Sequence, residues 1–263
     1  MLTFGRTNTI LFAGLLTLNI SQFFTSVSGW WYLALGAGYM TVISIGSFRV
    51  NSNFHFPVIC RNSSIDKGVA ITFDDGPDPE TTPRILEVLK KHDAKAAFFL
   101  IAQKAEAHPD LVRRIHNEGH IIGNHTYGHS YYFDFFPAFR MLREFVKSQE
   151  VINNIIGKKI VWFRPPYGVT NPMMKKALRK SGFITVGWSI RSLDTVIKDP
   201  EKVIARVSKA KAGDIILLHE TRPDMPEILD RVLSMLEERG EPVLSPEIII
   251  QPAPYQVEES VQV

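Results

Sequence analysis

The chain has 263 residues, 45% hydrophobic and 22% charged, with a formal net charge of +3. That length fits one large domain or two small ones, and the weak charge, with no basic run interleaved with aromatics, excludes a nucleic-acid binder of the ordinary kind. The lone cysteine, Cys60, excludes an internal disulfide and a cysteine-based structural zinc site.

From Thr7 to Phe48 there is no Asp, Glu, Lys or Arg, far longer than a buried helix of a soluble domain needs. The stretch divides at Ser26-Val27-Ser28-Gly29. Its first half, Ile10 to Thr25, is interrupted by Asn19, Ser21 and Gln22; its second, Trp30 to Ser47, opens on Trp30-Trp31-Tyr32. A cleaved signal peptide leaves the second half unexplained. Residues 1–50 are therefore expected to form a two-helix transmembrane hairpin, with residues 8–48 against lipid of a bacterial cell membrane. Arg6, Arg49, Arg61 and Lys67 flank the pair and the short loop has no cation, which places both ends in the cytoplasm. A single span would instead put the rest of the chain outside. Residues 51–66 read as a linker, and residues 67–263 as the catalytic domain.

The domain opens on Val69-Ala70-Ile71-Thr72-Phe73-Asp74-Asp75-Gly76-Pro77. The apolar, β-branched run reads as a buried strand that stops at two carboxylates and a breaker. A following helix N-terminus is served by Asp78 and Glu80, which leaves Asp74 and Asp75 for a site. Helical spacing follows from Pro83 to His92, then a strand from Ala96 to Ala102, a helix from Asp110 to Asn117, and a strand from His120 to His125. A long helix is expected from Pro137 to Ile156, a strand from Ile160 to Phe163, and a helix from Pro172 to Lys180. A strand from Phe183 to Ser189, a helix from Pro200 to Ala210, a strand from Asp214 to Leu218 and a helix from Pro226 to Arg239 complete the alternation, with an extended piece from Val243 to Ile250. This alternation calls for a parallel sheet covered by helices, as a closed or nearly closed barrel or an open doubly wound sheet. No GxGxxG or P-loop pattern follows any strand.

Polar residues gather at the strand ends: Asp74 and Asp75, then His125 and His129, Arg164 and Tyr167, Asp194, and last His219 and Glu220. In a parallel barrel those ends share one face. His125 and His129 stand four apart, a spacing that on a helical turn aims both imidazoles at one metal. Asp75 as third ligand leaves positions open for water and substrate, a catalytic arrangement. Arg164-Pro165-Pro166-Tyr167 is a rigid turn in which the prolines lack donors, so Tyr167 offers the next free N–H, suited to a developing oxyanion.

With these residues assembled, the stretch from about Lys67 to Ile250 resembles the polysaccharide deacetylases, the carbohydrate esterase family four domain also called the NodB homology domain. The resemblance rests on Thr72-Phe73-Asp74-Asp75, His125-Thr126-Tyr127-Gly128-His129, Arg164-Pro165-Pro166-Tyr167, Asp194 and Leu217-Leu218-His219, in the family's order. It implies an α/β fold, a distorted (β/α)7 barrel, and one divalent metal, most often Zn2+, with Co2+, Mn2+ or Ni2+ as alternatives. It also implies roles. Asp75, His125 and His129 would hold the metal, and Asp74 would be the general base, kept ionised by Arg164. His219 would be the general acid, kept protonated by Asp194, while Leu217 would line the acyl pocket. The reaction implied is removal of N-acetyl groups from amino sugars of a peptidoglycan or chitin-like glycan. A lipid-linked or N-formyl amino sugar is the alternative substrate, and an inactive glycan-binding protein the alternative of another class. No protein partner is deducible. One departure stands out: Arg191 and Thr195 lie near Asp194 where the family commonly has acidic residues and a Trp. Arg191 would meet an anionic substrate group or pair with Asp194.

Overall fold

The computed structural model describes residues 2–250; the remainder of the expected 67–263 unit, residues 251–263, lies outside the described residues. The chain opens with two helices, α1 (Phe4–Ser21) and α2 (Gly29–Phe48). They pack together closely enough that a Cβ on Gly14 would lie 3.0 Å from Leu35, and the Tyr39 hydroxyl donates to Asn8 Oδ1 at 3.0 Å. Of the two expected spans, only α2 is long and apolar enough to cross a membrane among the described residues. In α1 the polar groups of Arg6, Asn8 and Asn19 dilute the apolar run.

Both ends of the hairpin dock on the domain. The Phe4 N–H donates to Phe54 O at 2.9 Å and the Thr170 N–H to Ser47 O at 3.0 Å. Ser47 Oγ lies 3.0 Å from His55 Nε2. Residues 51–66, expected as a linker, lie against the domain: Phe54, His55, Phe56, Val58 and Cys60 are buried. Ile59 bridges Val186 in parallel, its N–H donating to Thr185 O at 2.9 Å. The alternation of buried Phe56, Val58 and Cys60 is the period of an extended chain laid on a surface.

The sheet is built from β1 (Ala70–Asp74), β2 (Ala96–Leu100), β3 (Ile121–Asn124), β4 (Trp162–Phe163), β5 (Ile184–Thr185), β6 (Ile190–Arg191) and β7 (Ile215–His219). It is parallel throughout, in the order β5-β4-β3-β2-β1-β7-β6. The crossovers are α3 (Thr81–Lys91), α4 (Ala102–Ala107) with α5 (Pro109–Asn117), α6 (Ala138–Ile156), α7 (Pro172–Ser181) and α8 (Pro200–Val207); α9 (Met225–Glu238) follows β7. β1 is buried along its whole length, as expected of a central strand covered on both faces; its one interior hydroxyl, on Thr72, donates to Ile216 O at 2.7 Å. Each helix turns an apolar stripe inward, as α6 does with Met141, Phe145 and Ile152.

The hydrogen-bonded ladder is open between β5 and β6, so the expected distorted (β/α)7 barrel takes the form of a seven-stranded half-barrel. The expected strand from Phe183 to Ser189 holds only at Ile184 and Thr185, which pair with β4; a separate strand, Ile190 and Arg191, begins just beyond its end and pairs with β7 at the other edge. Between them Gly187 donates to Ile59 O at 2.8 Å. The expected extended piece from Val243 to Ile250 holds only as far as the Val243–Val69 bridge. Pro246, its φ fixed for a first helical turn, then starts α10 (Pro246–Ile249). Helix α4 has no counterpart among the expected elements.

Register places the strand ends at one level. Asp74 lies beside Phe99 on one side and beside His219 on the other. Leu100 pairs with Asn124, and Asn124 with Phe163. The residues that follow these positions form the site.

Candidate active site

Asp75, His125 and His129 offer one ligand atom each, all within 4.8 Å of one another. Asp75 Oδ1 is 3.5 Å from His125 Nε2 and 3.4 Å from His129 Nε2. The two imidazoles do not meet on a helical turn, as the spacing implies. They meet in a loop, where Thr126 (φ 68°) and His129 (φ 46°) adopt left-handed backbone, as does Asp75 (φ 69°). Such conformations cost energy in non-glycine residues and persist where surroundings enforce them. Here Asn124 Oδ1 accepts from the Thr126 N–H at 2.7 Å, and the Glu144 carboxylate accepts from the N–H groups of Tyr127 and Gly128. Lys104 Nζ donates to Asp75 O at 2.7 Å.

The cluster fits a divalent cation. Asp75 Oδ1 is buried with no hydrogen-bond partner, a costly state unless a cation meets it. His125 Nδ1 lies 2.8 Å from Arg164 O, which fixes the N–H on Nδ1 and leaves Nε2 as the donor facing the cluster. Two imidazoles and one carboxylate suit zinc and its first-row neighbours. Burial pushes the Asp75 carboxyl up, but the adjacent His125, with His129 and His219, outweighs it and holds the group below the usual carboxylate range. Burial and the neighbouring His125 lower His129 to about 4, so its imidazole is neutral at physiological pH, as a ligand must be.

Asp74, 3% exposed, accepts from Arg164 Nη1 at 2.7 Å. Arg164 is wholly buried. Its donors also reach Thr72 Oγ1 at 2.8 Å, Gly187 O at 2.9 Å and Val186 O at 3.3 Å, and its guanidinium lies 4.0 Å from the Phe99 ring centroid. Burial lowers the Arg164 pKa and the Asp74 charge opposes that shift.

His219 Nδ1 is 2.8 Å from Asp194 Oδ1, and the His219 N–H donates to Asp194 Oδ2 at 2.7 Å. Burial lowers the His219 pKa, but the Asp194 hydrogen bond and charge outweigh it, so the net shift is upward. Asp194 is held in turn by Ser192 Oγ, at 2.9 Å. Tyr167 sits at φ 58°, its ring centroid 4.8 Å from that of His129. Among the described residues its N–H donates to no backbone carbonyl. The next residue, Gly168, also has positive φ, and a Cβ there would lie 2.4 Å from the Trp188 ring, so the turn admits only glycine at that point. Leu217 is buried beside Phe163 and Trp188. Arg191 is exposed, 5.8 Å from the Trp188 ring centroid; the partners of the Asp194 carboxylate are Ser192 and His219 instead.

Sequence reasoning gave Glu220 a place but no role. It is wholly buried. Thr82 donates to its carboxylate and Thr81 to its carbonyl, while its own N–H donates to Asp74 O at 3.1 Å. Burial pushes its carboxyl up to about 8, against the Thr82 hydrogen bond. Gly76 lies directly against it: a Cβ there would fall 1.7 Å from Glu220 Oε1. The available signal was an acid directly after His219, at a strand end facing Gly76-Pro77.

A family profile described as polysaccharide deacetylase matches residues 61–186. A peptidoglycan-N-acetylglucosamine deacetylase of Bacillus cereus is 36% identical over 183 residues, 65% of this chain and 64% of the relative. A chitooligosaccharide deacetylase of Azorhizobium caulinodans is 35% identical over 167 residues, 63% of this chain and 78% of the relative. The chain belongs to the polysaccharide deacetylase family. The relatives just named are deacetylases, hydrolases of amide carbon–nitrogen bonds. Among solved structures, the Bc1960 peptidoglycan N-acetylglucosamine deacetylase superposes with a TM-score of 0.68 at 32% identity, covering 73% of this chain and 92% of that one. The chain thus spans somewhat under two thirds of the first relative's length. The profile match takes in Asp74, Asp75, His125, His129, Arg164 and Tyr167 and ends before Asp194, Leu217 and His219.

Proposed function

We propose that this deacetylase uses one divalent metal to remove N-acetyl groups from amino sugars of a peptidoglycan or chitin-like glycan, while anchored in a membrane by its N-terminal hairpin. The observation that carries the reading is the pairing of Asp74 with Arg164 and of His219 with Asp194 around one Asp75-His125-His129 cluster. Every polar position of the mechanism is filled, which favours an enzyme over an inactive binding protein.

Asp75, His125 and His129 would hold the ion. When bound, it supplies Lewis acidity to an amide carbonyl and to water. Arg164 orients Asp74 through its hydrogen bond, and Asp74 takes the proton of the attacking water. The Tyr167 N–H donates to the oxyanion as it develops, an effect typically worth ~3–4 kcal/mol. Asp194 holds the His219 imidazole with one nitrogen protonated toward it, and His219 delivers a proton to the departing nitrogen. Base and acid are thus separate groups set by opposite partners, a cation for one and an anion for the other. Leu217 would present an apolar wall to the acetyl methyl.

The test is amine and acetate release from N-acetylglucosamine oligomers by the full chain in detergent, with zinc or cobalt and again with chelator. Chelator-sensitive release is expected. Release unaffected by chelator, or a folded chain that binds no metal, overturns the reading. The apolar hairpin favours a second substrate, a lipid-linked amino sugar; release from a membrane extract but not from soluble oligomers would select it.

A further inference from the structure

The loop that starts at His129 ends on an exposed aromatic surface. Tyr131, Tyr132, Phe135 and Phe139 are 86, 72, 86 and 63% exposed, whereas Phe133 and Phe136 between them are buried. The buried pair packs in one cluster with Val50 and Phe56, so the loop is pinned and its other rings are held outward. Scattered exposed apolar residues need no explanation, but a contiguous group does.

The exposed charges flanking these rings are cationic. The Arg140 guanidinium lies 3.6 Å from the Phe136 centroid and that of Arg143 lies 5.7 Å from Phe139; both arginines are exposed. Neighbouring α7 adds exposed Lys175 and Lys176 and contains no acid. The two acids beside them are withdrawn from the surface: Asp134 is half-buried, its Oδ1 without a hydrogen-bond partner, and Glu144 binds the N–H groups of Tyr127 and Gly128.

This surface is continuous with the base of α2. Asn171 Nδ2 donates to Asp134 O at 3.1 Å; one residue earlier, the Thr170 N–H donates to Ser47 O in the last turn of α2 at 3.0 Å. Phe48, which ends α2, is 72% exposed. The rings therefore lie near the point where the candidate span meets the domain. Aromatic rings favour the headgroup level of a bilayer, and clustered Lys and Arg favour anionic lipid.

We propose that the domain rests on an anionic bilayer surface through Tyr132, Phe135 and Phe139, with Arg140, Arg143, Lys175 and Lys176 meeting lipid phosphates. The proposal rests on α2 spanning the membrane. Tyr131, whose ring centroid is 5.8 Å from that of Tyr167, links this surface to the metal cluster. The cluster then opens beside the headgroups, and the substrate class is a glycan held at the membrane, either joined to lipid or lying directly over it.

Cys60 is buried, so single new cysteines can be labelled in the full chain. Phe135→Cys and Phe139→Cys, each carrying a fluorophore, are reconstituted into phosphatidylglycerol vesicles containing nitroxide-labelled lipid. Met40→Cys on α2 and Glu238→Cys on α9 serve as references. Loss of fluorescence at 135 and 139 comparable to that at 40, and none at 238, is expected. Loss at 40 alone overturns the resting surface and leaves the anchor intact; no loss even at 40 overturns both. Equal quenching in phosphatidylcholine vesicles overturns the role given to the cations. A response of the 135 label to peptidoglycan fragments, with none to lipid, overturns the proposal in favour of a glycan platform.

Discussion

Asp74 and His219 are register partners on adjacent parallel strands, β1 and β7. A one-residue slip of that pairing would turn one of them to the other side of the sheet. Their alignment rests on the buried hydrogen-bonded ladder between two central strands, a more rigid support than a loop, and their partners, Arg164 and Asp194, come from separate segments after β4 and β6.

Replacing Asp74 by Asn tests the base. The amide keeps an acceptor for Arg164 but can take no proton, so kcat is expected to fall by about 10²–10⁴-fold, the usual span for a general base. Metal content, measured by atomic absorption, should be unchanged. Loss of metal would show that Asp74 is a ligand.

Asp194→Asn tests the acid through its pH dependence. Asp194 raises the His219 pKa; in the proposed mechanism His219 acts in its protonated form, so activity is expected to decline as pH rises through that pKa. Without the carboxylate the pKa drops, and the alkaline limb of the kcat/KM profile should move to lower pH. An unmoved limb would remove His219 from the acid role.

A stability effect is expected far from the site. The His92 side chain, 6% exposed, lies 2.7 Å from Asp230 and 2.6 Å from Glu237 and joins α3 to α9. Burial lowers its pKa, but hydrogen bonds and charge from these two acids outweigh it, so the folded value lies above 6.5. The contribution is therefore fully present below the unfolded value near 6.5 and lost as pH rises through the folded one. The Tm of the native chain should fall over that window, and the fall should flatten in His92→Gln.

Gly76→Ala tests the support of the metal loop. Its Cβ would overlap the Glu220 carboxylate, and such overpacking typically costs about 1–3 kcal/mol. The neighbouring Asp75 should shift with it, so weaker zinc binding by calorimetry is expected. In Glu220→Gln, which keeps the shape and, like the protonated acid, carries no charge, binding should be preserved.

Much of this was legible because it is local. The end of β1 at Asp74-Asp75 shows as an apolar run meeting two acids, and His125-x3-His129 shows as spacing, though their convergence depends on left-handed Thr126 and His129 rather than on a helix. What lay hidden depends on distant neighbours. The end of β5 after Thr185 and the start of β6 at Ile190 follow from β4, β7 and Ile59, none of which marks that segment. Glu220 looks like an ordinary loop acid until Gly76 and Thr82 close over it. Residues 51–66 read as a tether because Asn and Ser dominate their ends, while the buried alternation in the middle is short.

Arg164 binds Asp74 and, with the same guanidinium, the carbonyls of Val186 and Gly187. Losing the base outright would leave a cation stranded in the barrel wall, a situation that typically costs about 3–5 kcal/mol. A descendant that abandons catalysis therefore has a narrow route. It keeps a polar acceptor for the guanidinium at position 74, as Asn would, or it replaces Asp74 and Arg164 together. Heredity at these two positions is coupled by the fold even where selection for the reaction has ceased.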